Sequence, residues 1–364
     1  MARERALARV STAAIAHNCA HLRSRLTGDA LLCAVVKAEG YGHGALGCAR
    51  AAKEAGADWL AVATAGEAVA LRRAGIEGRL LVMGALTPEE THALVQGDID
   101  MVAWTPEFVR GLSGDARVHV KLDTGMGRLG TRDPEAAAAV AAEAADRRDV
   151  RLVGVMTHFA TADERGDEHF PAQLARFTDF VERIRGEHQG LIAHAANSAA
   201  TLRDPAAHFD MVRCGVAVYG LDPFQADPGA EGLKPALSLE SWVAAVKRFE
   251  PGESAGYGRR WTASEPTWVA TVPVGYGDGW RRALTNDCDV LVRGRRRPLV
   301  GAVSMDNVTV DLGPETDVQV GDVAVLIGEQ GGDRILCEEV AHRLGTINYE
   351  VTTGLTQRVR REHA

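Results

Sequence analysis

The first 220 residues carry short apolar runs rich in Val, Leu and Ala, separated by stretches of helical character. Such a βα rhythm admits few folds, because consecutive parallel strands need a helical crossover and both faces of their sheet must be covered. Eight strands are expected, at residues 31–37, 59–64, 80–84, 101–104, 118–123, 152–158, 191–197 and 211–219. Helix patterns lie between them, among others at 66–74, 134–145 and 170–184. Eight such units predict an N-terminal (β/α)8 TIM-like barrel over residues 1–232. Beyond residue 232 the pattern changes to alternating strands with Gly turns, at 242–249, 268–274, 290–292, 308–312 and 323–327. A C-terminal β-rich domain over 233–364 is therefore expected, closing with a short helix at 338–344.

Charge and cysteine usage narrow the function. A formal charge of −8 repels a phosphate backbone and argues against a nucleic-acid partner. No run approaches the roughly 18 apolar residues of a membrane helix, and the charged N-terminus, from Met1 to Val10, lacks the apolar stretch of a signal peptide. The six cysteines are widely spaced, without C-x-x-C, which fits reduced thiols in the cytoplasm. No His/Cys cluster has zinc-ligand spacing, so no metal is expected. Arg293, Arg295, Arg296 and Arg297 around Gly294 read as a charged hairpin tip, and Arg358-Val359-Arg360-Arg361 as a solvated tail.

In such barrels the reactive groups sit at the C-terminal ends of the strands. The first strand ends in Lys37 and runs into Tyr41-Gly42-His43-Gly44. A lysine pointing into an apolar barrel loses hydration and basicity, which suits a Schiff base or proton abstraction. The competing reading is a snorkelling surface lysine. The fifth strand supplies Lys121, Asp123 and then Gly125, Gly127 and Gly130, which spell G-x-G-x-x-G. A dinucleotide fingerprint belongs after the first strand of a Rossmann unit, so this run reads instead as a turn that aims Arg128 at an anion. The sixth and seventh strands end at His158 and at Asn197-Ser198, while the eighth brings Arg213, Gly215 and Val216. Ser198 and Gly215 fall where barrels commonly bind phosphate. A Schiff-base lysine facing a phosphate cradle implies pyridoxal 5'-phosphate.

These motifs, with Gly256-Tyr257-Gly258, Gly275-Tyr276-Gly277-Asp278, Val303-Ser304-Met305-Asp306 and Asn348-Tyr349-Glu350 downstream, resemble the alanine racemases over nearly the whole chain. The resemblance implies a cytoplasmic enzyme that interconverts L- and D-alanine for peptidoglycan. It implies that Lys37 holds pyridoxal phosphate as a Schiff base, that Tyr41, Ser198, Gly215, Val216 and Tyr349 hold its phosphate, and that Arg213 faces its ring nitrogen. Lys37 would serve as base toward the D-enantiomer and Tyr257 toward the L-enantiomer, with His158 beside Arg213 assisting Tyr257. Arg128, the Met305 N–H and Tyr276 would bind the amino-acid substrate, with Lys121, Asp306 and Asn197 in supporting positions and Lys121 often carbamylated in the family. It further implies a homodimer with shared sites.

Several positions depart from that family pattern: the opening Ala8-Arg9-Val10-Ser11-Thr12 is atypical, Glu39-Gly40 stands where Asn-Ala is frequent, Cys214 where Pro is frequent, and Ala302 where an Arg commonly stands along the substrate corridor. The last leaves a serine or broad-specificity racemase as an alternative. A non-catalytic pyridoxal-phosphate carrier is a further one, against which the second domain argues.

Overall fold

The structure is a computed structural model and describes residues 4–364; Met1, Ala2 and Arg3 of the charged N-terminal run lie outside the described residues. The chain divides into two compact units. One comprises residues 15–40 and 45–218, the other the residues up to Ala14, 41–44 and 219–364.

The first unit holds eight parallel strands: β2 (Leu31–Val35), β3 (Trp59–Val62), β4 (Arg79–Val82), β5 (Asp100–Ala103), β6 (Ala116–Lys121), β7 (Val150–Met156), β8 (Ile192–His194) and β9 (Met211–Cys214), after β1 (Leu7–Val10), which belongs to the other unit. Their order is β8-β7-β6-β5-β4-β3-β2-β9, each neighbour pair parallel. Between β8 and β9 the Asp210 N–H donates to Ala193 O (3.0 Å) within β8 and the Arg213 N–H to Ala196 O (2.9 Å) just past its end, so the gap is bridged by backbone hydrogen bonds. This is the expected barrel. β3 and β5 are buried along their whole length, as strands covered on both faces should be. The helices expected at 66–74, 134–145 and 170–184 are found as Ala65–Arg73, Pro134–Ala145 and His169–Glu187. Thr64 and Asp133 cap the first two through side-chain oxygens.

The strands end earlier than expected. β2 stops at Val35 rather than Lys37, and β9 stops at Cys214, where the chain turns into a 3-10 helix, Val216–Tyr219. The apolar runs continue past the strand ends into loop residues that are in part buried, such as Val36, Leu122 and Val216–Tyr219, so hydrophobicity outlasts the ladder.

The second unit is built on a ten-stranded sheet. Its strands include β10 (Leu237–Trp242) and β11 (Ala245–Phe249) and, past a separate two-stranded hairpin of β12 (Ser254–Ala255) and β13 (Trp261–Thr262), β14 (Thr267–Val272), β15 (Asp289–Val292), β16 (Arg295–Val300), β17 (Val308–Gly313) and β18 (Val323–Gln330). The arginine-rich hairpin is real, with Arg293 and Gly294 in its turn, but Arg296 is partly buried among Asp289, Asp333 and Glu339 rather than solvated at the tip. The C-terminus corrects the reading of a solvated tail. After β19 (Asp333–Ile335), β20 (Arg360–His363) pairs in parallel with β1, which pairs antiparallel with β10. The Arg361 guanidinium donates to the carbonyls of Gly42, Leu355, Thr356 and Val359, which ties the C-terminal strand to the loops around it.

Candidate active site

Lys37 follows β2 and is half-buried. The next residues, Ala38, Glu39, Gly40 and Tyr41, all take positive φ (51°, 55°, 59° and 53°). This is one turn of left-handed helix, closed by the Gly40 N–H donating to Val36 O (3.0 Å). For residues with a Cβ such a turn is strained, and only Gly40 adopts it freely. Glu67 anchors the entrance: its Oε1 accepts from the Ala38 N–H (2.6 Å) and its Oε2 from the N–H groups of Ala63 and Thr64. Glu67 escaped the sequence reading; as the third residue after Thr64 it spells a capping box, which is the signal it left.

Burial lowers the basicity of the Lys37 amine, the positive charges of Arg128 and Arg213 lower it further, and Glu67 opposes them. Lys121, at the end of β6 and 4% exposed, falls to about 8 through burial and then through Arg213 and Arg128. The barrel mouth is therefore a positively charged basin, fit for an anionic ligand. The glycine-rich loop does not cradle that anion. The N–H groups of Gly125 and Gly127 donate to the Asp123 carboxylate (3.1 and 3.0 Å), so the G-x-G-x-x-G run encloses its own acid and presents Arg128 exposed.

Arg213 on β9 is 3% exposed and almost fully committed. Its Nη1 donates to His194 O (2.8 Å) and to His194 Nδ1 (3.0 Å), and its Nη2 to Thr157 O (2.7 Å) and Ala195 O (3.0 Å), with His158 Nδ1 3.3 Å away. Of its five donors, Nε–H alone has no partner among the described residues. Burial brings the guanidinium down to about 10, leaving it charged at neutral pH. Burial and Arg213 hold His158 well below the usual imidazole range, so it is neutral. Ser198 Oγ accepts from the N–H groups of Gly215 (3.0 Å) and Ala217 (3.3 Å), which leaves its hydroxyl hydrogen to donate. Asn197 caps the helix that Ser198 begins, and Val216 follows Gly215 in the same buried segment.

The β-rich unit carries two further groups. The Tyr41 ring packs at a tilt against those of Tyr219 (centroids 5.1 Å) and Tyr349 (6.0 Å). Asn348 fixes the start of the helix bearing Tyr349 by bonding Asp222 O, Glu338 Oε1 and Gln225. Separately, Tyr257, Tyr276, Ala302, Met305 and Asp306 line one concavity of about 690 Å³. Gly275 and Gly277 let the Tyr276 loop lie against the Ser304–Met305 backbone, where a Cβ on either would collide. Asp306 accepts from Arg358 (2.6 Å), and the Met305 N–H has no partner among the described residues. Tyr257 is 74% exposed and Met305 51%.

The chain matches two family models, "Alanine racemase, N-terminal domain" over residues 10–223 and "Alanine racemase, C-terminal domain" over 236–363. The chain belongs to the alanine racemase family. It is 43% identical to the alanine racemase of Symbiobacterium thermophilum over 93% of this chain and 91% of that one. It is 42% identical to that of Geobacillus stearothermophilus over 97% and 92%. The crystal structure of alanine racemase from the D-cycloserine producer Streptomyces lavendulae superposes with a TM-score of 0.92 at 37% identity, covering 100% of this chain and 98% of that one. An alanine racemase is an isomerase acting on amino acids, and the candidate residues quoted from the sequence fall into three clusters: the barrel mouth, the Tyr41–Tyr349 aromatic group and the Tyr257 concavity.

Proposed function

We propose that this protein interconverts L- and D-alanine with pyridoxal 5'-phosphate, using Lys37 and Tyr257 as the two groups that move the Cα proton. The observation that carries the reading is the Nε–H of charged Arg213, the one donor of its guanidinium that no group among the described residues accepts and that is left for an acceptor such as a pyridine nitrogen. Ser198, with its free hydroxyl hydrogen, and the positive basin suit the phosphate. Tyr41, Gly215, Val216 and Tyr349 complete its holders by family resemblance.

When bound, pyridoxal phosphate supplies the electron sink that makes an amino-acid Cα–H acidic. Arg213 cannot readily release a proton to the ring, which limits how much charge the ring takes up and disfavours transamination. Lys37, with its lowered basicity, holds or accepts the proton on one face of Cα. The Tyr257 phenol serves the opposite face. Arg128 and the free Met305 N–H hold the substrate carboxylate, with Tyr276 beside them. A carrier protein has no use for that second set.

The exposure of Tyr257 and Met305 supports a homodimer in which the β-rich unit of one subunit completes the barrel site of the other. The six buried free cysteines suit a reducing cytoplasm, where D-alanine would feed peptidoglycan. Ala302, small and lining the Tyr257 concavity, favours a second reading in which serine is also accepted. Among the described residues no helix is long and apolar enough to cross a membrane. The test is incubation of the purified protein and pyridoxal phosphate with each L-amino acid, followed by chiral analysis. D-alanine as the major product is expected; no D-product from alanine would refute the reading.

A further inference from the structure

A continuous line of buried polar side chains runs through the barrel from Arg213. His194 on β8 places its Nε2 2.9 Å from Nδ1 of His119 on β6, and His119 Nε2, which makes no hydrogen bond of its own, lies within electrostatic reach of Asp100 Oδ1 (3.4 Å) at the start of β5. All three are fully buried. The two rings meet across β7 because Gly154 stands between them: a Cβ there would come 2.8 Å from His119 Nδ1. Trp59 packs edge-on against His119 (5.5 Å), and Arg79 lies over the Trp59 ring. Asp100 ends the line, held by Arg79 (2.7 Å) and Arg117 (3.2 Å). Four charged or titratable side chains are thus aligned where a barrel core ordinarily packs aliphatic residues.

The direction of every link follows from the first. A guanidinium only donates, so His194 Nδ1 accepts from Arg213 and its hydrogen sits on Nε2. That hydrogen is donated to His119 Nδ1, which leaves the His119 hydrogen on Nε2, facing the Asp100 carboxylate. The line is polarised one way, from a cation at the barrel mouth to an anion near the opposite end.

We propose that His194, His119 and Asp100 are positioning residues that set the orientation and charge of Arg213, and so aim its Nε–H at the cofactor ring. The inference rests on the assignment of Arg213 to that ring. Were either ring to change tautomer, His194 would turn an N–H toward Arg213, which would lose its bond to His194 Nδ1. Burial and the Arg213 charge keep both imidazoles neutral, with Asp100 pulling on His119, Arg79 opposing it and Lys121 acting on His194.

The test compares holoenzymes carrying His119→Phe and His119→Gln. Phe keeps the buried ring but offers no nitrogen. Gln restores one acceptor toward His194 and one donor toward Asp100. For His119→Phe, kcat should fall about tenfold, the lower end of what loss of a bond to a charged group produces, with KM unchanged and pyruvate formation raised. His119→Gln should recover most of the loss. Wild-type kcat and pyruvate formation in His119→Phe, with only the melting temperature lowered, would overturn the proposal. Independently, ¹⁵N spectra of histidine-labelled wild-type protein should show His119 and His194 as neutral Nε2–H rings between about pH 5 and 9. Titration of either ring in that range, or an Nδ1–H signal, would also overturn it. An Arg213→Gln variant with unaltered cofactor absorbance and no added pyruvate would show instead that the underlying assignment fails.

Discussion

Lys37 leaves the barrel on a turn of the wrong hand, and only Gly40 within it is free of the Cβ clash that makes left-handed helix costly. Gly40→Ala should therefore destabilise the protein by about 1–2 kcal/mol in urea unfolding, with a further contribution from Cys48 Sγ, 3.3 Å from the added Cβ. An unchanged midpoint would show that the turn relaxes. Lys121 gives a second expectation through its depressed basicity, about 8 in the folded protein against about 10.4 unfolded. Below pH 8 the residue is charged in both states and its burial cost is fully present. As pH rises from 8 toward 10.4 the folded state sheds the proton first, so stability rises. Through this group the protein should gain about 2 kcal/mol between pH 7.5 and 9.5, and Lys121→Met should lack that gain. The same neutral amine can take up carbon dioxide as a carbamate, which would turn one cation of the basin into an anion. Loss of the slope when bicarbonate is added, with a labile mass increment of one carbon dioxide, is expected.

Among the elements, β9 carries Arg213, and its replacement tests the cofactor assignment. Arg213→Glu should let the ring nitrogen protonate, producing new long-wavelength absorbance and pyruvate; neither appearing would mean that Arg213 does not face the ring. The positions of the candidate residues were legible because βα periodicity fixes where strands end, and Lys37, Lys121, His158 and Ser198 lie within a few residues of those ends. What depended on partners far along the chain was not. β1 and β20 escaped because Leu7-Ala8-Arg9-Val10 and Arg360–His363 make sense only when paired across some 350 residues. The left-handed turn escaped because three of its four residues disfavour it. Asp100 escaped because an acid at a strand start normally reads as solvated.

At the scale of the whole molecule, exposed Tyr257 and buried Arg213 belong to different units of one chain, and the proposed homodimer predicts that they meet only between subunits. Lys37→Ala and Tyr257→Phe should each be inactive as homodimers. Dissociated, mixed and reassembled, they should recover about a quarter of wild-type activity, since half the dimers are mixed and each mixed dimer holds one intact site. No recovery would place both groups in one subunit. The two-base assignment itself is tested most directly by Tyr257→Phe with D-alanine in deuterated water, followed by mass and chiral analysis. Lys37 alone should exchange the Cα hydrogen of D-alanine for deuterium while forming little L-alanine. Inversion at the wild-type rate would contradict the account.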